Sequence, residues 1–214
     1  MTQLTDDLFD AIEFDAARGG DHLTAAQLMS RLAGTADPDG GMSRAEAYLR
    51  AGEQWLLADD PAKAADAFRL AITDGGATFV DPRVPLARAL YLLDEPEQAA
   101  ILVAQLKAEG PRDPLVCDLV GELLLEQSDL PGALAWVTAG VELCLPGGGA
   151  SVLPPALAPD VGTELRLLLS LRYRIRNDLS LPEDEYDQMI DELGDHEGAP
   201  TANSADAGGG GADG

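Results

Sequence analysis

Residues 45–76 read AEAYLRAGEQWLLADDPAKAADAFRLAITDGG, and the alternation of large and small residues along them decides the fold. Tyr48, Ala51, Gly52 and Trp55 recur three and four apart, so they share one face of a helix. Ala64, Phe68 and Ala71 do the same in a second helix, and a tight turn joins the two. Glycine or alanine at facing positions lets two helix backbones approach closely, while the large residues fill the gaps between hairpins. One such hairpin cannot bury its apolar face alone, so about three or more must stack.

The same order continues outward. Laying the second-helix alanines over one another gives Ala64, Ala99 and Ala133, at separations of 99 − 64 = 35 and 133 − 99 = 34 residues. Gly52 and Gly121 hold one place in this register, with Ala87 between them. The next unit runs Leu86, Ala87, Leu90, then a turn at Asp94-Glu95-Pro96, then Ala99, Val103 and Leu106, and ends at Pro111. The unit after it runs Cys117, Val120, Gly121, Leu124, a turn at Ser128-Asp129, then Ala133, Val137 and Gly140. Upstream, Phe9, Ile12 and Ala16, a break at Gly19-Gly20, and Ala25, Met29 and Leu32 form a degenerate copy, with Asp21 or Thr24 as cap of a helix to about Leu32.

This order resembles the tetratricopeptide repeat, a helix–turn–helix unit of roughly 34 residues. The resemblance implies an all-α solenoid of helix hairpins over 1–193. A degenerate repeat at 5–38 precedes repeats at 45–78, 80–113 and 114–147. Residues 146–160 (PGGGASVLPPALAPD) are too rich in glycine and proline for a helix interior. Helices at 161–179 and 182–193 are expected to cap the array. Pro182 and Glu183 lie in the first turn of the second, whose Tyr186, Met189, Ile190 and Leu193 form one apolar face. Residues 195–214, DHEGAPTANSADAGGGGADG with the preceding Gly194 as stop, read as a flexible tail.

Composition narrows the function. Against 38 acidic residues stand only 14 basic ones, a formal net charge of −24. Phosphate repulsion at that charge argues against nucleic acid, and an anionic membrane surface is disfavoured for the same reason. Neither a secretory signal at the start nor an apolar run of about 18 residues is visible. Cys117 and Cys144, in apolar helical surroundings, are expected as buried free thiols, and a cytoplasmic setting follows.

No catalytic, cofactor-binding or metal-ligating residue is assigned. His22 and His196 have no second ligand at metal spacing, the glycine runs lack a following Lys-Ser/Thr, and paired acids such as Asp59-Asp60 fall in turns. The expectation is a protein or peptide segment held in a concave groove lined by the first helix of each hairpin. By register the groove residues are Glu46, Leu49, Arg50, Glu53 and Leu57, then Val84, Arg88, Tyr91 and Leu92, then Asp118, Glu122 and Leu125. Some tetratricopeptide proteins clamp a chaperone's terminal carboxylate with Lys and Asn; here those places carry Leu49, Glu53, Val84, Arg88, Asp118 and Glu122, so no clamp is expected. Arg166, Arg172, Arg174 and Arg176 are expected to meet acidic neighbours within the fold, such as the preceding repeat or the segment after Pro182.

The run RYRIRNDLSLPEDEYD (residues 172–187) and the richness in Ala, Gly, Asp and Arg resemble uncharacterised actinobacterial tetratricopeptide proteins. The cysteine-rich zinc motif that ends some of those is missing here. An interaction scaffold is thus the leading expectation. Self-association into a weak homo-oligomer through the Tyr186–Leu193 face or an uncapped repeat end is the second, and a helical enzyme a remote third.

Overall fold

In a computed structural model, residues 4–35, 41–145 and 159–190 are described, with side chains from 162 onward in the last segment. The expected tail, the loop over 146–158 and the final residues of the 182–193 helix lie outside them. The helices are α1 (Asp6–Gly19), α2 (His22–Gly34), α3 (Arg44–Leu57), α4 (Pro61–Asp74), α5 (Arg83–Leu92), α6 (Pro96–Glu109), α7 (Pro114–Glu126), α8 (Leu130–Cys144) and α9 (Pro159–Asp178). A further helical stretch covers 185–190, and no strand occurs among the described residues. Neighbouring helices pack in pairs, α1 with α2, α3 with α4, α5 with α6 and α7 with α8, in an all-α, solenoid-like array closed by α9 against α8 and α7.

Local chemistry sets the boundaries. Thr5, Asp21, Ser43, Asp60 and Asp129 each accept a hydrogen bond from the amide three residues on, satisfying a donor that the first turn leaves open. Each such cap contributes on the order of 1 kcal/mol. Of the two candidates for capping α2, Asp21 does so, accepting from Thr24 N, and α2 runs on to Gly34 rather than stopping near Leu32. Three of these caps, Asp21, Asp60 and Asp129, are carboxylates at helix starts, where the helix dipole favours them.

The three central hairpins share one turn, atom for atom. Asp59, Asp94 and Ser128 have φ of 59°, 60° and 63°, a left-handed conformation that short polar side chains tolerate. Just after each, the amides of Asp60, Glu95 and Asp129 donate to Trp55 O, Leu90 O and Leu124 O, all at 2.9 Å. Ala64, Ala99 and Ala133 are each the fourth residue of the following helix and fully buried. The glycines matter at two of these contacts. A Cβ at Gly52 would overlap ring carbons of Phe68, and one at Gly121 would overlap Val137 Cγ1. Close backbone approach, the reason inferred for the small residues, is thus what the geometry requires.

The C-terminal region departs from expectation in one place. After α9 the chain makes the same turn again, with Ser180 at φ 54° and Leu181 N donating to Arg176 O at 3.0 Å. Residues 181–184 then stay non-helical, so Pro182 does not open a helix. Asp184 does, accepting from the amides of Tyr186 and Asp187. The carboxylate of Asp184 also accepts from Arg172, through Nη1 at 2.9 Å and Nη2 at 2.6 Å.

The core divides in two. A continuous cluster runs from Leu49 and Trp55 through Phe68, Leu90, Val120 and Val137 to Leu168, Ile175 and Met189. A smaller one gathers Leu4, Phe9, Met29, Ala33, Met42, Ala47 and Ala51 under α1. Cys117 and Cys144 are free and buried in α7 and α8, and burial pushes their thiols up to about 12 and about 11. No helix among the described residues is long and apolar enough to cross a membrane.

Candidate interaction surface

Helix α3 begins at Ser43 because that hydroxyl caps it, and the same hydroxyl donates to Ala77 O, tying the helix start to the strap that follows α4. Glu46, one turn in, accepts from Phe79 N at 2.8 Å, and Arg44 pairs with Asp74 at 2.5 Å. Between α3 and this strap lies a hollow of about 520 Å³. Asp6, Glu46, Leu49, Arg50 and Glu53 line it, and Phe79 stands on its rim with 79% of its surface exposed.

Charge in the hollow is unbalanced. Arg50 donates through Nε and Nη2 to both oxygens of Glu13 at 2.8 and 2.5 Å, and through Nη2 to Asp10 at 2.5 Å; Asp6 lies 3.8 Å away. The guanidinium also lies 5.5 Å from the centre of the Phe9 ring. These bonds, Glu13's foremost, hold Arg50 charged. Glu53 keeps an open edge, yet its carboxylate is pushed up to about 7, chiefly by loss of water and then by repulsion from Glu13 and Glu46, with Arg50 offsetting part.

Not all residues expected in the groove meet there. Glu46, Leu49, Arg50 and Glu53 share the hollow, but Leu49 is only 1% exposed and can serve as floor alone. Val84 is a correction: it is buried in the core, because α5 turns that side toward its neighbours. Leu57 and Leu92, equivalent in register, are exposed at the ends of α3 and α5 and do not line the hollow. Arg88 pairs with Glu126 across to α7 at 2.9 Å, and half-buried Tyr91 packs against the core. Asp118 and Glu122 stand one turn apart on α7; burial, with Glu122 second, raises Asp118. The half-buried Leu125 also packs against the core. The expected clamp positions therefore offer Arg88 alone, and it is already paired.

Four contributors, Asp6, Asp10, Glu13 and Phe79, escaped the sequence reading. Asp10 and Glu13 lie on α1, at helical spacing from Asp6, a signal that was present but had no partner until α3 was placed beside it. Phe79 sits in a connector, outside any helical period. Elsewhere, Arg83 joins Asp81 at 2.7 Å and Glu109 at 2.6 Å beside a second hollow of about 290 Å³.

Other expectations have definite places. Tyr186 and Met189 are buried in the core and Ile190 packs on it, so that face is taken up inside the chain; Leu193 is not described. Of the four arginines, Arg172 and Arg176 meet Asp184 and Asp187, whereas Arg174 is exposed. His22, first residue of α2, has Nδ1 3.0 Å from Gln54 Oε1, and His196 is not described. No group of three or more His, Cys, Asp or Glu among the described residues could hold a metal ion.

No protein-family model matches the chain, and no curated protein matches it. Among solved structures, the crystal structure of BtubC (BKLC) from P. vanneervenii superposes with a TM-score of 0.53 over 92% of this chain and 81% of that one, at 14% sequence identity. That likeness is one of fold.

Proposed function

We propose that the chain is a tetratricopeptide-like, cytoplasmic scaffold that binds a protein or peptide segment in the hollow beside α3. The observation that supports this reading is a preformed surface. Glu46 and Arg50 are fixed by hydrogen bonds before any partner arrives, and Phe79 projects beside them. A surface already ordered loses little freedom on binding, which is where affinity for a flexible segment is otherwise lost. Its carboxylates and exposed ring match a segment that carries a basic side chain next to an apolar one.

Affinity capture on the full chain, read by mass spectrometry, tests this against a variant with Glu53→Lys and Phe79→Ala. A defined protein should be retained by the native chain and lost from the variant, with circular dichroism unchanged. Retention of the same proteins by both would overturn the assignment to this hollow.

A further inference from the structure

We propose that the partner segment crosses the 77–82 strap, seating a basic side chain in the α3 hollow and an apolar one in the second hollow, beyond Phe79. The proposal rests on the α3 hollow being a binding site and extends that site by one repeat. The stacking of the hairpins carries it. Each hollow lies between two successive connectors of the array. Met42, Ser43 and the strap flank the first, and the strap and residues 110–113 flank the second. Thr78 and Phe79 line both, so the two open on either side of one exposed ring. That ring is held in place by its neighbours. Its own amide donates to Glu46, Ala77 O accepts from Ser43, and Val80, the next residue, is buried in the main core.

The two hollows differ in how their charges are met. In the first, the carboxylates of Asp6, Glu46 and Glu53 face one guanidinium, Arg50, which Asp10 and Glu13 already hold at 2.5 Å each. Such an excess of negative charge suits a cationic side chain. In the second, Arg83 donates to Asp81 at 2.7 Å and to both oxygens of Glu109 at 2.6 and 2.8 Å. Asp113 caps α7, accepting from Leu115 N at 2.9 Å. Those charges answer one another, and the walls beside them are Leu106, Val116 and Trp136 of the main core. A seat of that kind suits a side chain without charge. The first helices of successive hairpins, α5 and α7, pack together. Packed helices stand about 8–10 Å apart, a step that an extended chain covers in about three residues.

Fluorescence anisotropy on the full chain tests the crossing, with labelled synthetic peptides of Gly and Ser that carry Lys and Leu about two to five residues apart. The Lys–Leu peptide of best spacing should bind at least about tenfold tighter than peptides carrying Lys or Leu alone, the gain from burying one apolar side chain. Glu53→Lys should cancel what the peptide's Lys contributes. Of the chain's two tryptophans, Trp136 lines the second hollow, whereas Trp55 donates through Nε1 to Ser30 and lines neither. In nitrogen–proton correlation spectra the Trp136 indole signal should therefore move with the Lys–Leu peptide and hold still with the Lys peptide, while that of Trp55 holds still with both. A Lys–Leu peptide that binds no tighter than Lys alone, or binds without moving Trp136, overturns the crossing and leaves the α3 hollow standing. Binding of Lys peptides that Glu53→Lys does not weaken, or no binding by any peptide, overturns both.

Discussion

Two arginine networks fasten the ends of this array, and they differ in how much water reaches them. At the C-terminal end Arg172 meets Asp184 at 2.6 Å and Asp187 at 3.2 Å, while Arg176 meets each of them at 2.9 Å. Arg172 and Asp187 are both only 5% exposed. Thr138 of α8 accepts from Arg172 Nε at 3.1 Å, and the Tyr186 ring lies 4.6 Å beneath the guanidinium. At the N-terminal end Arg50 is as well supplied with carboxylates, but Asp6 and Asp10 are 75% and 65% exposed. The same chemistry thus makes a buried joint at one end and a wet one at the other. In the first, Arg172 and Asp187 depend on their partners, because little water reaches either of them. In the second, water can stand in for Arg50 at Asp6 and Asp10, so those contacts orient α1 more than they stabilise the fold.

The largest expected effect breaks the buried joint. Asp187→Asn takes the buried carboxylate from Arg172 and Arg176 and leaves them sharing Asp184, at a cost of about 3–5 kcal/mol in urea unfolding. A loss below about 1 kcal/mol would show that water reaches this network after all, and the contrast between the two ends would fail. Next comes the wet joint. Arg50→Met keeps the apolar stem over Phe9 and removes the charge, so global stability should fall by about 1 kcal/mol or less. The loss should be concentrated in hydrogen-exchange protection of α1 and absent from α7.

The smallest effect tests the buried joint by pH. Asp184 is held below its ordinary value of 3.8, first by its hydrogen bond with Arg172. A depressed carboxylate stabilises the fold above 3.8, and that contribution is lost as pH falls through the lowered value. Acidification below pH 3.8 should therefore loosen 185–190 against α9, followed by the exchange of its amides. Unchanged exchange of 185–190 below pH 3.8 would mean that Asp184 lies in surroundings other than those described.

How far the sequence carried this can be judged residue by residue. The turns at Asp59, Asp94 and Ser128, the alanines that follow them and the glycines at 52 and 121 were legible because hairpin packing is local. A helix period and a 34- or 35-residue interval are enough to say which residues face one another. The arginines of α9 were legible as a group, and the segment after Pro182 was one of two neighbours expected for them, the preceding repeat being the other. What divided them was position: Arg172 and Arg176 lie one turn apart on the face that Asp184 and Asp187 cover, and Arg174 points elsewhere.

The groove was read less fully, for a physical reason. Register assigns every first helix the same exposed face, yet that face is shared with whatever packs beside it. Leu49 became floor, Val84 went into the core, and Arg88 was paired with Glu126. By itself the sequence determined the repeat register, the hairpins and their small-residue contacts, since these depend on spacing along one helix and its immediate partner. Tertiary structure alone decided that α1 brings Asp10 and Glu13 to Arg50, that Phe79 stands at the rim, and that Glu53 is left without a partner. Those outcomes depend on how successive hairpins are placed side by side, and on the water their contacts exclude.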